Sequence, residues 1–191
     1  MNNRQNPSII LETRRLVLRY QSASDVPLLT DLWADPVVTR YIGGPRDRDW
    51  LQSVFEETAK NPQAERYDLW PVVEKDTGLV VGHCGLLDKD VEGRTEIELN
   101  YIFSPAVWGK GYATEIAAAI KQMAIEKMGL KRLIALIEPE NLASERVALK
   151  IGMHLEKETL RPGGGRRIVY VVEVRDEVQA ATPMPQAQAL A

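Results

Sequence analysis

Two glycines separated by one residue lie between an apolar segment and a helical pattern in the stretch VWGKGYATEIAAAI (107–120). A strand that enters a helix through a glycine turn aims several unpaired backbone N–H groups, and the positive end of the helix dipole, at one point. Gly109 and Gly111 allow backbone angles that side chains disfavour, and Lys110 adds a full positive charge. The spacing predicts either an anion site that takes phosphate groups or a tight turn without a ligand.

Two familiar nucleotide motifs do not fit this stretch. A P-loop requires Lys-Ser or Lys-Thr next to its last glycine, whereas Tyr112 and Ala113 follow Gly111. The dinucleotide fingerprint requires a third glycine, and Thr114 occupies that position. The fingerprint also belongs to the first strand of a repeating βαβ unit, whereas this strand follows an antiparallel run.

The other reactive side chains indicate no second kind of chemistry. His83 and Cys84 lie in an apolar strand pattern, which favours buried packing over thiolate chemistry. His154 is the only other histidine and Cys84 the only cysteine, so we expect no metal site.

Strands and helices follow one another in an order that must position these residues. Alternating or short apolar patterns predict strands at 14–20, 69–75, 79–88, 94–104, 131–138, 154–160 and 166–174. Apolar residues at helical spacing, with capping residues, predict helices at 24–35, 47–61, 111–128 and 141–152. This order predicts an α/β domain with a single mixed sheet, mostly antiparallel and flanked by helices. We place the domain at 9–176 and expect 177–191 to be a disordered tail.

Composition excludes several classes of protein. The chain has 191 residues and a net charge of −3, which does not favour a broad basic face for nucleic acid. No apolar run approaches the roughly 20 residues of a membrane span, and the N-terminus lacks the apolar stretch of a signal peptide. A single cysteine fits a reducing compartment. We therefore expect a cytoplasmic domain that binds neither nucleic acid nor membrane.

The stretch YIFSPAVWGKGYATEIAAAI (101–120) resembles the acetyl-CoA-binding motif of the GNAT superfamily of N-acetyltransferases. That motif has Gln or Arg, two residues, Gly, one residue, and Gly or Ala. Trp108 departs from it, since it replaces the Gln or Arg, as in the branch that resembles the ribosomal-protein alanine acetyltransferases RimJ and RimL. The segments LETRRLVLR (11–19) and ENLASERVALKIGM (140–153) resemble two further segments of that branch.

The resemblance implies a GNAT fold in which two strands splay into a V-shaped opening for acetyl-CoA, the acyl-donor cosubstrate. In that family the strand before the glycine turn carries a bulge, and pantetheine pairs with its backbone. Here the pantetheine and thioester contacts would fall on Tyr101, Ile102 and Phe103. The pyrophosphate contacts would fall on Gly109, Lys110, Gly111, Tyr112, Ala113 and Thr114.

A general base for the amine is expected on the strand before the turn. Strand alternation puts Glu98 on one face with Glu96, Asn100 and Ile102. Glu98 is our candidate, acting directly or through a water molecule. A solvated polar face on a surface strand is the alternative interpretation of the same pattern.

Ser144 matches the position of a serine proposed as the general acid in the RimL-like branch. The alternative is helix capping together with Asn141, since both residue types favour the first turn of a helix. We expect Asn141 to hydrogen-bond the cofactor or the splayed backbone.

The predicted function is N-acetyl transfer from acetyl-CoA to an amine acceptor: a protein N-terminus, a polyamine, an amino-sugar antibiotic or another small amine. The alternative is a catalytically silent CoA-binding regulatory module. Homodimers are common in the resembling family, so a homodimer is a further expectation. Four aromatic residues are candidates for the acceptor pocket, with core packing as the alternative: Trp33, Tyr41, Trp50 and Trp70.

The segment YIGGPRDRDWLQSVFEE (41–57) is expected to border the acceptor cleft. Its charges alternate in sign from Arg46 to Asp49, which indicates no dense acidic wall for a polycation. We therefore predict turnover of a peptide N-terminus or small monoamine over kanamycin-type aminoglycosides.

Overall fold

One mixed sheet of eight strands organises the protein, whose computed structural model describes residues 8–161 and 163–174. The strands are β1 (Ile9–Glu12), β2 (Leu16–Arg19), β3 (Leu69–Glu74), β4 (Val80–Val91), β5 (Arg94–Phe103), β6 (Arg132–Ile137), β7 (His154–Leu160) and β8 (Arg166–Glu173). Their order in the sheet is β1-β2-β3-β4-β5-β6-β8-β7. The predicted α/β class is confirmed, and the expected tail at 177–191 lies outside the described residues.

Helices cover both faces of this sheet. They are α1 (Val26–Ala34), α2 (Pro36–Thr39), α3 (Arg48–Lys60), α4 (Tyr112–Glu126) and α5 (Leu142–Lys150). Side-chain caps fix two of the starts, because Asp47 accepts from the N–H of Trp50 and Asn141 accepts from the N–H of Ser144. The short elements β1 and α2 were not predicted, because a segment of four residues is too short to show a strand or helix periodicity in its apolar residues.

The sheet changes direction between β5 and β6. Every other neighbouring pair is antiparallel, whereas β5 and β6 are parallel and joined through α4. Their register contains a single pair, Glu98 with Ile134. The strands therefore separate beyond Glu98, which gives the predicted V-shaped opening.

The bulge expected on β5 is absent from its pairing with β4. The register runs without a shift from the pair Gly82–Phe103 to the pair Val91–Arg94. Shifts occur instead between β3 and β4, at Val72/Val73, and in the outer strands. The opening thus follows from the short β5–β6 pairing and not from an extra residue in β5.

The main core lies between the sheet and helices α4 and α5. It includes Leu99 and Phe103 of β5, together with Ile116 and Ile120 of α4. On the opposite face, α1 and α3 form a smaller cluster whose buried members are Val26, Leu29, Leu51 and Phe55.

The alternation of β5 follows the sequence pattern. Ile97, Leu99, Tyr101 and Phe103 belong to the main core, so Glu96 and Glu98 point to the other face. Glu98 is only 2% exposed and Glu96 only 7%. The interpretation of this face as a solvated polar surface is therefore wrong.

Among the helices of the described residues, none is both long and apolar enough to cross a membrane.

Candidate active site

The glycine turn has the conformation that its sequence requires. Gly109 and Gly111 have φ angles of 78° and 79°, in the left-handed region that side chains disfavour. Gly111 is the N-cap of α4, which begins at Tyr112. After β5 and a short 3-10 helix at Pro105–Val107, the turn therefore leads the chain into the N-terminus of α4.

Backbone N–H groups of this turn remain available for a ligand. Within the part of the chain that the structure describes, five of them donate to no backbone acceptor: those of Gly109, Gly111, Tyr112, Ala113 and Thr114. A Cβ built on Gly109 would have no atom within 4 Å, so open space adjoins the turn. The geometry suits an anion better than a packed turn.

Trp108 has a structural role at the position where the GNAT motif has Gln or Arg. Its indole Nε1–H donates to the Phe103 carbonyl oxygen at 2.8 Å, so it ties the turn to the end of β5. The ring itself is 52% exposed.

Two residues that the sequence did not single out hold the turn in place. Arg15 Nε donates to Glu115 Oε2 at 2.7 Å, and Arg15 Nη1 donates to the Lys110 carbonyl oxygen at 2.8 Å. Glu115 also accepts from the Thr13 hydroxyl and the Arg15 N–H. Glutamate is common in the first turn of a helix, so its position in the sequence did not indicate this role. Only the folded structure shows that it pairs with Arg15.

The positive charge of Lys110 is partly neutralised by a nearby carboxylate. Its Nζ lies 3.5 Å from Glu74 Oε1, an oxygen that also accepts from the Tyr112 hydroxyl at 2.5 Å. The sequence did not indicate Glu74 either, because Glu74 lies on β3, far from α4 along the chain, and contacts α4 only in the folded protein. The backbone, more than Lys110, must then supply the anion contacts.

The predicted catalytic residues meet in a small cavity at the start of the β5–β6 opening. Glu98, Tyr101, Asn141 and Ser144 line it, together with Tyr41, Ile42 and residues of β6. Its volume is about 30 Å³, enough for a water molecule. Of the four aromatic pocket candidates, Tyr41 alone lines it; Trp70 is in the core and Trp50 is 56% exposed.

Glu98 carries a carboxyl group with unusual surroundings. Burial raises its pKa above the ordinary value, and the positive charges of Lys89 and Arg161 only partly offset this. Lys89 Nζ lies 4.0 Å from Oε2, too far for a hydrogen bond. Oε2 has no hydrogen-bond partner among the described residues.

Asn141 and Ser144 form the start of α5. Asn141 Oδ1 accepts from the Ser144 N–H at 3.1 Å, so Asn141 is the cap. The Ser144 carbonyl accepts from the Tyr101 hydroxyl at 3.2 Å, which joins α5 to β5. The side chain that caps α5 is therefore that of Asn141, and capping by the Ser144 side chain is not observed.

The backbone of Tyr101, Ile102 and Phe103 borders the same opening. These residues follow Glu98 on β5 and pair with β4, whereas toward β6 they have no strand partner. This is the strand edge on which the family resemblance places the pantetheine contacts.

Residues 15–154 match the family model described as the acetyltransferase (GNAT) domain, which covers well over half of the chain. The chain belongs to the GNAT family. It is an N-acetyltransferase.

Relatives of this GNAT protein occur in Bacillus subtilis. It is 35% identical over 166 residues to the uncharacterized protein YkkB, covering 86% of this chain and 96% of YkkB. It is 32% identical to the uncharacterized N-acetyltransferase YnaD, covering 76% of this chain and 83% of YnaD.

Solved GNAT structures share the architecture. An acetyltransferase of the GNAT family from Bacillus anthracis has a TM-score of 0.72 at 27% identity, covering 87% of this chain and 98% of that one. RimL, the ribosomal L7/L12 α-N-protein acetyltransferase in complex with coenzyme A, has a TM-score of 0.70 at 14% identity, covering 87% of this chain and 98% of that one. At such identity the likeness to RimL concerns the fold.

The remaining reactive groups of this GNAT protein are structural. His83 accepts from the Trp33 indole at Nδ1, and its Nε2 lies 3.0 Å from the Leu69 carbonyl oxygen. Burial lowers the pKa of His83 to about 4, so the ring is neutral. Cys84 is buried, and burial raises its thiol pKa well above the ordinary value. The described residues contain no cluster of His, Cys, Asp or Glu that could hold a metal ion.

Proposed function

We propose that this protein transfers the acetyl group of acetyl-CoA to a primary amine, on a protein N-terminus or a small molecule, by direct attack in a ternary complex. The cavity that brings Glu98, Tyr101, Asn141 and Ser144 together carries the proposal. A buried carboxylate and a hydroxyl in that cavity, with an anion-binding turn at the start of α4, are groups that such a transfer can use.

The residues present fit the cofactor. The five free N–H groups at the start of α4 would hold the pyrophosphate, with most of the binding from the main chain. The unpaired edge of Tyr101, Ile102 and Phe103 would pair with the pantetheine amides. Acetyl-CoA supplies the thioester carbonyl that the amine attacks and the thiolate that leaves.

Glu98 would accept the proton from the attacking amine. Its raised pKa brings it closer to that of an amine, which makes it a stronger base than an exposed glutamate. The cavity beside it has room for a water molecule that relays the proton.

Ser144 would donate a proton to the leaving thiolate. Its hydroxyl is free of the helix cap, because Asn141 already accepts from the Ser144 N–H. Asn141 would then act through α5, by fixing the position of Ser144, more than by direct contact with the cofactor.

A covalent acyl-enzyme on cysteine is disfavoured. Cys84 is the only cysteine, and it is fully buried with a thiol pKa raised by burial. Direct attack on the thioester is the remaining route.

Initial-velocity kinetics test this proposal, with release of the CoA thiol measured while acetyl-CoA and an amine are both varied. Amines would include peptides with free N-termini and small monoamines. Intersecting double-reciprocal lines are expected for a ternary complex. Parallel lines would contradict it, and CoA binding without thiol release from any amine would favour the silent regulatory module.

The domain limits of 9–176, a cytoplasmic location and a homodimer stay predictions. The family match at 15–154 lies inside these limits and supports them in part.

A further inference from the structure

Three arginines from distant parts of the chain converge beside the candidate active site. Arg46 lies in the segment before α3, Arg161 ends the β7 side of the last hairpin, and Arg167 lies on β8. A Cβ built on Gly43 would lie 3.6 Å from Arg46 Nη2 and 3.9 Å from Arg161 Nη1. These two guanidinium groups therefore flank the same few ångströms of backbone.

Arg46 and Arg161 have no carboxylate partner within the described residues, and Arg167 has only a long contact with Glu138. Arg46 donates to the carbonyl oxygens of Gly44 and Ile42, and Arg161 forms no ion pair within the described residues. Arg167 is 4% exposed, its Nε has no hydrogen-bond partner there, and Glu138 Oε2 lies 3.8 Å from its Nη1. By contrast, Arg132 contacts three carboxylates.

The arrangement carries an electrostatic penalty that an anion would relieve. Burial lowers the pKa of both Arg46 and Arg167, and the charge of Arg161 lowers each further. Guanidinium groups that are partly desolvated and face like charge are stabilised when a carboxylate or phosphate bridges them.

The cluster lies near the Glu98 cavity without lining it. Arg46 Nη2 donates to the Ile42 carbonyl oxygen at 2.7 Å, and Ile42 lines that cavity. Glu138, 3.8 Å from Arg167, follows Ile137, which also lines it. The positive charge of Arg161 lowers the pKa of Glu98, and the negative charge of Glu98 raises the pKa of Arg167.

The charged groups near the cluster include Lys89 and the three arginines against the carboxyl groups of Glu98, Glu138 and Glu140. The surroundings therefore favour an acidic group on the ligand, and a planar carboxylate matches the fork of a guanidinium group.

We infer that the acceptor is an amine that also bears a carboxylate, such as an amino acid, bound with its carboxylate on Arg46, Arg161 and Arg167 and its amine toward Glu98. This inference rests on the proposed function and specifies its substrate class. The same cluster would repel a polycationic acceptor.

Matched acceptor pairs test the inference by thiol release. Each of glycine, L-alanine, L-phenylalanine, β-alanine and 4-aminobutyrate is compared with its carboxamide, and phosphoethanolamine represents the phosphate class. At least one carboxylate should exceed its amide by about tenfold or more in kcat/KM, as expected for a charge-assisted bidentate contact. Phosphoethanolamine should be turned over more slowly than that carboxylate.

Arg161→Gln should remove this preference. The ratio of kcat/KM for the best carboxylate to that for the matched amide should fall by about tenfold or more, whatever change both acceptors share through Glu98. Arg48→Gln is the control, because Arg48 lies two residues from Arg46 but pairs with Asp31 at the surface. It should leave the preference unchanged.

Amides turned over as fast as the carboxylates in every pair, or an unchanged preference in Arg161→Gln, would overturn the inference. So would faster turnover of phosphoethanolamine than of every carboxylate. If no amine releases thiol, the proposed function fails separately. The inference is then decided by thermal shift of the CoA-loaded protein, in which carboxylates but not amides must raise the melting temperature.

Discussion

The buried carboxyl group of Glu98, our proposed general base, affects the stability of the fold. Its pKa is raised in the folded state, so the folded protein binds a proton more tightly than the unfolded chain does. The stability contributed by this group is therefore full below the ordinary glutamate pKa and is lost as pH rises toward the raised value. Each unit of elevation corresponds to about 1.4 kcal/mol at neutral pH.

Glu98→Gln should slow the enzyme and stabilise it at the same time. At neutral pH we expect a fall of about 10²- to 10⁴-fold in kcat, with little change in the KM for acetyl-CoA, and partial recovery at high pH where the amine deprotonates itself. Urea unfolding at neutral pH should show a stability gain, because a neutral amide replaces a buried charge.

Glu96→Gln is the matched control for this variant. Glu96 lies on the same face of β5 but pairs with Arg132 at 3.0 Å, so its loss should lower stability and leave kcat within about threefold. If Glu98→Gln lowers kcat by less than about threefold, the base lies elsewhere.

Measurements of activity and of stability should distinguish the roles of the two polar residues at the start of α5. Ser144→Ala should lower kcat, by an amount that depends on the leaving thiol, with little effect on stability, since the helix cap is the Asn141 side chain. Asn141→Ala removes the cap and should cost about 1 kcal/mol in unfolding free energy. A Ser144→Ala variant with normal kcat and a lower melting temperature would return Ser144 to a structural role.

At the scale of elements, the glycine turn and the start of α4 form the proposed binding unit for acetyl-CoA. Gly111→Val should weaken acetyl-CoA binding by at least about 100-fold, because the side chain disfavours a φ of 79° and blocks the approach of a phosphate. Lys110→Ala should weaken it only mildly, since Lys110 pairs with Glu74. Isothermal titration calorimetry on folded variants measures both.

Gly129→Val provides the control for backbone strain. Gly129 follows the other end of α4 with a φ of 72° and open space around its Cβ position. Its variant should be destabilised to a similar degree and still bind acetyl-CoA normally. Equal loss of binding in both variants would mean that strain, and not the turn, explains the effect of Gly111→Val.

Local sequence patterns were sufficient to predict the long strands and helices, but they could not predict which of these elements contact each other. The alternation in 94–104 and the helical spacing in 111–128 predict β5 and α4 within two residues at each end. The family resemblance wrongly placed a bulge in β5, because the opening depends on how briefly β5 pairs with β6, which no local pattern reports. The contact of Arg15 with Glu115 spans 100 residues and was invisible for the same reason.

Over the whole molecule, the proposed acceptor site is more cationic than the sequence pattern at 46–49 indicates. Of the alternating charges at 46–49, Asp47 caps α3 and Arg48 pairs with Asp31, which leaves Arg46 to face inward. The residues that join it, Arg161 and Arg167, are more than 100 positions away, so the sequence could not assemble this cluster.

We therefore expect kanamycin to be a poorer acceptor than a peptide N-terminus or small monoamine, because its several ammonium groups would meet like charge. Thiol release at matched concentrations of both classes measures this preference. Turnover of kanamycin about tenfold faster than that of every peptide and monoamine would refute it, as would a rate for kanamycin that does not rise when Arg161 is neutralised.

Because β5 and β6 share one residue pair, the sheet contains an internal edge as well as its two outer ones. Amide protons that face this edge beyond Glu98 lack a strand partner, so in the free protein they should exchange with deuterium faster than those bonded to β4. CoA should slow that exchange in 99–103, and exchange unaffected by CoA would contradict the pairing proposed for pantetheine.

A strand edge without a partner ordinarily promotes aggregation with other chains. Here the edge is recessed between two strands of the same sheet, where a slender ligand can reach it and the strand of another protein cannot.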